Sequence, residues 1–359
     1  MDPIEEFNKA DVFVSNNAYE EASAIYIELR QKHLGLAPFC DYRLASISNN
    51  TGDPMTAFKL YYSAFSAKPD IALSLLGDNH PNQNYVFEGK KDERAATACP
   101  LCGNSDIQPK WCYPLPEAIG YNHFFNPIRL WMYCKPCHHI FAKYFPDKTF
   151  LYNDAPRTPN PGVFSYYSNI LAQVAQYASG VSLFEVGIGA CECLLTAREI
   201  GYDTFGIDVI DKHVQTARER FGFDALAVDF LEFQTDRNFD IIIMGDVLEH
   251  VSDPDLALRK ACGLLNEDGA LWVSTPNFDS AFASVAGHND PMRFQQYHLN
   301  YFSRVSFFTL LEKCGLTPVY YSVSSHYNGS MEVIIVKSRR INGLEEESAL
   351  LPDSRALVV

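Results

Sequence analysis

The chain of 359 residues has no apolar run of the ~18 residues that a membrane helix needs, so no helical membrane span is expected. Its opening residues, MDPIEEFNKA, lack the basic start and apolar core of a secretory signal, and a cytoplasmic address is the expectation. Basic residues are also scarce: 29 Lys and Arg stand against 44 Asp and Glu, for a formal net charge of −15. Their clusters are small, as at Lys90-Lys91 with Arg94 and at Arg339-Arg340. A protein that holds a polyanion needs a basic face, because displaced counterions supply much of that affinity. Neither nucleic acid nor a membrane is therefore expected as a partner. Ten cysteines in such a chain argue against a disulfide framework.

What is present reads as a soluble globular protein, 47% hydrophobic and 20% charged, and too long for a single core. Residues 1–76 read as helices. NNAYEEASAIYIEL and TGDPMTAFKLYYSAFSAKPD superimpose with Ala22 on Ala57 and Tyr26 on Tyr61. The repeat length, the small residues at helix crossings and a closing Pro69 resemble the tetratricopeptide repeat. These helices are read either as a cap packed on the rest of the chain or as a surface for a protein partner or self-association. Residues 77–98 are polar and aperiodic and read as a linker. A cysteine-bearing module over 99–145, a Pro-rich joint with a lead-in helix over 146–178, an alternating domain over 179–338 and a mobile tail over 339–359 complete the expected order.

Cys99 and Cys102 lie three apart in CPLCG, and Cys134 and Cys137 repeat the spacing in CKPCHH. Each pair fits a tight knuckle that lets two thiolates reach one tetrahedral ion, so a structural zinc on Cys99, Cys102, Cys134 and Cys137 is expected in a small zinc-ribbon-like module. A redox pair or an iron–sulfur cluster is the alternative, and His138 or His139 could replace one thiolate. Four protein ligands leave such a metal no open position for chemistry.

VSLFEVGIGACECLLTAREIGY runs from an apolar strand through a Gly-bearing turn into a helix. Glu185 ends that strand, and Gly187 and Gly189 let the backbone approach a ligand closely. Asp208 ends the next strand, placed to chelate a ribose diol, and Asp229 follows the third, where a carboxylate accepts from an adenine amino group. FDIIIMGDVLEHVSDP and LLNEDGALWVSTPN supply the fourth and fifth strands. The dinucleotide fingerprint G-x-G-x-x-G places a glycine where this chain has Glu192, and an acid there repels a pyrophosphate. The five segments together resemble the class I methyltransferases dependent on S-adenosylmethionine (SAM). That resemblance covers Val181 to Lys337 and implies an α/β fold built on a Rossmann-like sheet. It implies that Glu185, Gly187 and Gly189 line the methionine and ribose end of SAM, with Gly245 beside the methionine. It gives Asp208 the ribose hydroxyls, sets Val209 under the adenine and has Asp229 and the Phe230 backbone read the adenine edge. Where that family usually has E/D-x-G-x-G-x-G, Cys191 replaces the third glycine, and it is expected to narrow the pocket beside the methionine.

The fifth strand is followed by a long insertion, from about Phe278 to Ser303, that carries His288, Asp290, Arg293, Tyr297 and His298. Long loops in compact domains are usually functional, so it is read as the acceptor-binding lid. Methyl transfer to a hydroxyl or carbon must also remove a proton, for which histidine is suited. His298 is the first candidate base and His250 the second. Tyr166 and Tyr167, ahead of the first strand, either close over SAM or simply pack. A four-cysteine module directly before such a domain resembles the sugar C-methyltransferases, which implies a small polar acceptor such as a nucleotide-linked sugar. Unlike those enzymes, this chain has repeat-like N-terminal helices and ends soon after its seventh strand. O- or N-methylation of a natural product or of a peptide or protein, and a SAM-binding scaffold without catalysis, are the alternatives.

Overall fold

The computed structural model describes residues 2–146 and 157–338; the expected mobile tail lies outside them. Four helices open the chain, α1 (Pro3–Ser15), α2 (Tyr19–Lys32), α3 (Ala37–Asn50) and α4 (Pro54–Ala67), followed by one turn, α5 (Ala72–Leu75). Local chemistry sets their starts: Asp2 accepts from the Ile4 amide at 3.0 Å and Asp53 from the Thr56 amide at 3.0 Å, each followed by a proline in the first turn. The sequence repeat coincides with α2 and α4, where Ala22 and Ala57 are fully buried and let neighbouring helices approach. The helices are a cap on the cysteine module. α4 packs on its strands, Tyr42 donates to the Glu117 carboxylate, and Asn49 Oδ1 accepts from the Cys112 amide at 2.7 Å.

The segment expected to be a linker is irregular but packed. Tyr85 and Phe87 are buried, and the Asn126 side chain bonds the Lys91 backbone in both directions, at 2.7 and 2.9 Å. Buried aromatic rings outweigh the polar composition here. Its end forms β1 (Arg94–Ala95), which pairs antiparallel with β5 (Tyr144–Phe145). Between them lie β2 (Gln108–Pro114), β3 (Ile128–Cys134) and β4 (His139–Ala142), an antiparallel meander.

After α6 (Phe164–Val174) the chain alternates: β6 (Ser182–Val186), α7 (Glu192–Ile200), β7 (Asp203–Asp208), α8 (Asp211–Phe221), β8 (Asp224–Ala227), β9 (Phe239–Gly245), α9 (Pro254–Leu264) and β10 (Leu265–Pro276). The inserted segment carries α10 (Ala281–Ala286) and β11 (Asn300–Tyr301), and α11 (Arg304–Lys313), β12 (Leu316–Val323) and β13 (Ser330–Lys337) follow. The large sheet has the order β12-β13-β10-β9-β6-β7-β8, with β13 antiparallel to both neighbours and the central strands parallel. Strand order reverses between β6 and β9, the crevice where open α/β sheets bind ligands.

Module and sheet are not separate bodies. One apolar cluster runs from Tyr61 and Phe65 on α4 through Leu130 and Phe141 of the module to Phe302, Phe307 and Val333. β11 leaves the large domain altogether and adds a fourth strand to the meander, pairing Asn300 with Phe141 and Tyr301 with Ile140. Among the described residues no helix is long and apolar enough to cross a membrane.

Candidate active site

A cavity of about 1200 Å3 opens beyond the carboxyl ends of β6, β7, β9 and β10. Its floor is the turn after β6. Gly187 and Gly189 take φ of 78° and 49°, conformations that cost a side-chain-bearing residue, and the Gly187 amide donates to the Ile207 carbonyl at 2.8 Å. A Cβ on Gly206 of β7 would collide with Ile188, so that glycine lets the turn lie flat on the neighbouring strand.

Asp208 is buried and holds the turn from the side, accepting from the Gly189 amide at 3.0 Å and the Ile210 amide at 2.8 Å. His213 Nδ1 lies 3.2 Å from the same carboxylate and was not foreseen; no motif marks it, only its place one turn into α8. Val209, Asp229 and Phe230 line the same wing of the cavity, with Asp229 Oδ1 accepting from the Leu231 amide at 2.8 Å. Glu185 and Gly245 line the centre. Glu185 is buried with Oε2 unpartnered, and burial, helped by Glu192 and Asp208, pushes its carboxyl well above the usual range. An orphaned carboxyl oxygen among further acids leaves a place for a cationic ligand such as SAM, because a positive charge beside it would favour the ionised form. Glu192 stands in the first turn of α7 on the cavity wall, where a pyrophosphate would have to sit.

Cys191 does adopt the backbone of the glycine it replaces, φ 71°, but it does not narrow the cavity. The side chain points the other way, fully buried in the core beneath the sheet with Leu194 and Val214. An L-residue in this conformation costs ~1–2 kcal/mol, more than the ~0.4–1 kcal/mol by which alanine outdoes glycine through the unfolded chain. Cys191→Gly is thus expected to be the more stable of the pair Cys191→Gly and Cys191→Ala in thermal unfolding; the reverse order would deny the strain.

The acceptor side is built from several elements. His250 donates from Nδ1 to the Tyr297 carbonyl at 3.0 Å, which leaves Nε2 as the free lone pair. His298 lies against it with ring centroids 4.9 Å apart, and both line the cavity that Gly245 also lines. Burial pushes His250 down to about 4, and burial, with His250 and Arg129 nearby, holds His298 well below the usual range, so both rings are neutral at pH 7. Glu249, buried and accepting from Thr275 Oγ1 at 3.0 Å, completes a set whose ligand atoms fall within 4.8 Å of those of His250 and His298, a spacing that can also hold a cation. Asp246, at φ 53°, accepts from Ser274 Oγ at 2.8 Å. Tyr166 and Tyr167 both reach the cavity, and Tyr166 donates to Glu332 at 2.9 Å.

The insertion divides its roles. Tyr297 and His298 face the cavity, but Asp290, Arg293 and His288 do not. Asp290 accepts from the Tyr301 hydroxyl, while Arg293 donates to Tyr113 Oη at 3.0 Å and stacks on Trp111 at 3.9 Å. Arg293, with Asp290 3.6 Å from its guanidinium, thus clamps the segment to the cysteine module, which supplies aromatic faces that sequence alone could not assign to it. Sequence reasoning also missed Arg94, Phe145 and Arg157, which line the far wall. Arg94 and Arg157 come from the supposed linkers and Phe145 from the end of the cysteine module, and no local pattern sets them apart.

The four cysteines converge: Cys99 and Cys137 sulfurs lie 3.5 Å apart and those of Cys102 and Cys134 3.6 Å apart. Neither histidine replaces one of them; His139 Nε2 bonds Asn300 Oδ1 at 3.2 Å and His138 packs on Phe278.

A family model described as "Methyltransferase domain" matches residues 132–321. Among curated proteins, the chain is 27% identical over 124 residues to the mitochondrial ubiquinone biosynthesis O-methyltransferase of Bos taurus, a match over 30% of this chain and 34% of that protein. It is 23% identical over 171 residues to the ubiquinone biosynthesis O-methyltransferase of Sinorhizobium fredii, over 46% of this chain and 58% of that one. It thus spans about a third to somewhat over half of the length of these relatives. Among solved structures, magnesium protoporphyrin IX methyltransferase from Synechocystis PCC 6803, with bound SAH, aligns at 15% identity and a TM-score of 0.41 over 53% of this chain and 92% of that one.

Proposed function

This chain belongs to the methyltransferase-domain family, and from that premise we propose that it transfers the methyl group of SAM to a hydroxyl of a small polar acceptor. SAM supplies a methyl on a sulfonium, an electrophile that needs no further activation. What remains for the protein is to hold donor and acceptor in line and to take the hydroxyl proton. The observation that carries the reading is the pair His250 and His298, two neutral imidazoles packed together at the wall of the cavity that Glu185 and Gly245 also line. An amine acceptor that loses its proton to water before it meets the methyl group would need no such pair. The relatives' naming as O-methyltransferases points the same way.

The test is to incubate the protein with SAM and a panel of nucleotide-linked sugars, polyhydroxylated aromatics and primary amines, following S-adenosylhomocysteine (SAH) by mass spectrometry. Turnover confined to hydroxyl acceptors is expected. Turnover of amines alone would overturn the assignment. Nucleotide-linked sugars belong in that panel because the cysteine module resembles that of sugar C-methyltransferases, although neither relative above carries such a name.

The cysteine cluster is read as a structural zinc site. Tetrahedral thiolates at ~2.3 Å from a zinc lie roughly 3.8 Å from one another, whereas a disulfide needs ~2.05 Å; the observed 3.5 and 3.6 Å match the former. Purified protein should carry about one zinc per chain, and Cys134→Ser should lose it and melt at lower temperature. Metal-free protein of unchanged stability would contradict the site.

A further inference from the structure

We infer that Asn300 is a positioning residue through which the cysteine module holds His250 and His298 in place. It is fully buried and does not line the cavity, so it touches no ligand there. Its amide nitrogen Nδ2 and its backbone N–H are nonetheless both engaged with the segment that carries His250. Its Nδ2 donates to the Val251 carbonyl at 2.7 Å and the Leu248 carbonyl at 3.4 Å, on either side of Glu249 and His250. Its backbone amide donates to the Glu249 carbonyl at 3.0 Å, and that of Leu299 to the same oxygen at 2.7 Å. The Tyr297 carbonyl in turn accepts from His250 Nδ1. The loop after β9 and the end of the insertion are thus stitched together around one amide side chain.

The stitch is fastened to the module from behind. Asn300 Oδ1 accepts from His139 Nε2 at 3.2 Å, and His139 stands opposite Cys134 in the β3–β4 ladder. Asn300 and Tyr301 form the strand β11 that pairs with β4, and Ser303 Oγ donates to the His138 carbonyl at 2.7 Å. Facing two carbonyls, only the amide's NH2 end fits as Nδ2, which fixes the side chain's orientation. The module therefore does more than stabilise itself: its strand β4 is the surface on which the histidine-bearing segments are registered.

The functional meaning of this rests on the proposed role of the histidines, but its test needs neither acceptor nor turnover, so the two readings can fail separately. The probe is diethyl pyrocarbonate, with carbethoxylation of His250 and His298 followed by peptide mass spectrometry on the full chain. Asn300→Asp keeps the acceptor for His139 but loses both donors and sets a carboxylate against the Leu248 and Val251 carbonyls. His139→Phe removes the donor to Oδ1, and His139→Gln restores one near the Nε2 position. Losing one such bond corresponds to ~10-fold in local opening. Asn300→Asp and His139→Phe should each speed modification of both histidines ~10-fold or more, with SAH affinity by calorimetry unchanged and His139→Gln behaving as wild type. If Asn300→Asp does not fold, the His139 pair decides alone. Unchanged reactivity, a parallel loss of SAH affinity, or His139→Gln matching His139→Phe would each overturn the inference.

Discussion

His298→Asn is expected to cut turnover ~10²-fold or more, the usual size of a general-base contribution, while leaving SAM affinity near wild type. The second part follows from geometry: His298 sits on the insertion, on the acceptor side, and the residues read as the SAM wing, Asp208, Val209, Asp229 and Phe230, belong to the turns after β7 and β8. His250→Asn is the control, because its ring packs against His298 and has a defined tautomer, with Nδ1 donating to Tyr297 and Nε2 left to accept. Should His298→Asn turn over normally and His250→Asn fail, the base lies on the loop after β9. The pH profile carries a further sign. A free imidazole protonates near pH 6.5, but burial places His250 at about 4 and His298 well below its usual value. The base therefore stays unprotonated as the pH falls through 6, and turnover should hold there. A rate that halves near pH 6.5 would mean that neither buried ring is the base.

Asp208→Ala should weaken SAM at least ~100-fold. Two charge-assisted bonds from a ribose diol contribute ~1.5–3 kcal/mol each. The structure adds a second loss, because the same carboxylate holds the Gly189 amide, the start of α8 and His213. Asp208→Asn separates the two, since an amide oxygen can still accept from Gly189 while half of the diol chelate is gone. Equal affinity in wild type and Asp208→Ala, measured by calorimetry, would place the ribose elsewhere.

The parts of this protein that were legible in sequence are those where one local pattern has one solution. An apolar strand ending in Glu185, followed by glycines that need positive φ, can only turn tightly into a helix. Asp208 at a strand end and Ala22 with Ala57 at helix crossings are of the same kind. The convergence of Cys99, Cys102, Cys134 and Cys137 also followed from spacing. What stayed hidden depends on contacts between distant segments. His139 and Asn300 are 161 positions apart, and nothing in HHIFA or HLNYFS announces that they share a ladder. Asp290 and Arg293 read as acceptor-binding because they sit on a long charged loop; the module's Tyr113 and Trp111 claim Arg293 instead. Cys191 was misread for a subtler reason. Its left-handed backbone turns the side chain away from the turn's ligand face and into the core, which residue type alone does not reveal.

The account stands on SAM as the ligand of the cavity between β6 and β9, and isothermal titration of the full chain with SAH tests that most directly. One SAH should bind per chain, with the affinity reduced by Asp208→Ala and with NAD unable to compete, since Glu192 occupies the place of a pyrophosphate. No heat of SAH binding, or displacement of SAH by NAD, would contradict it.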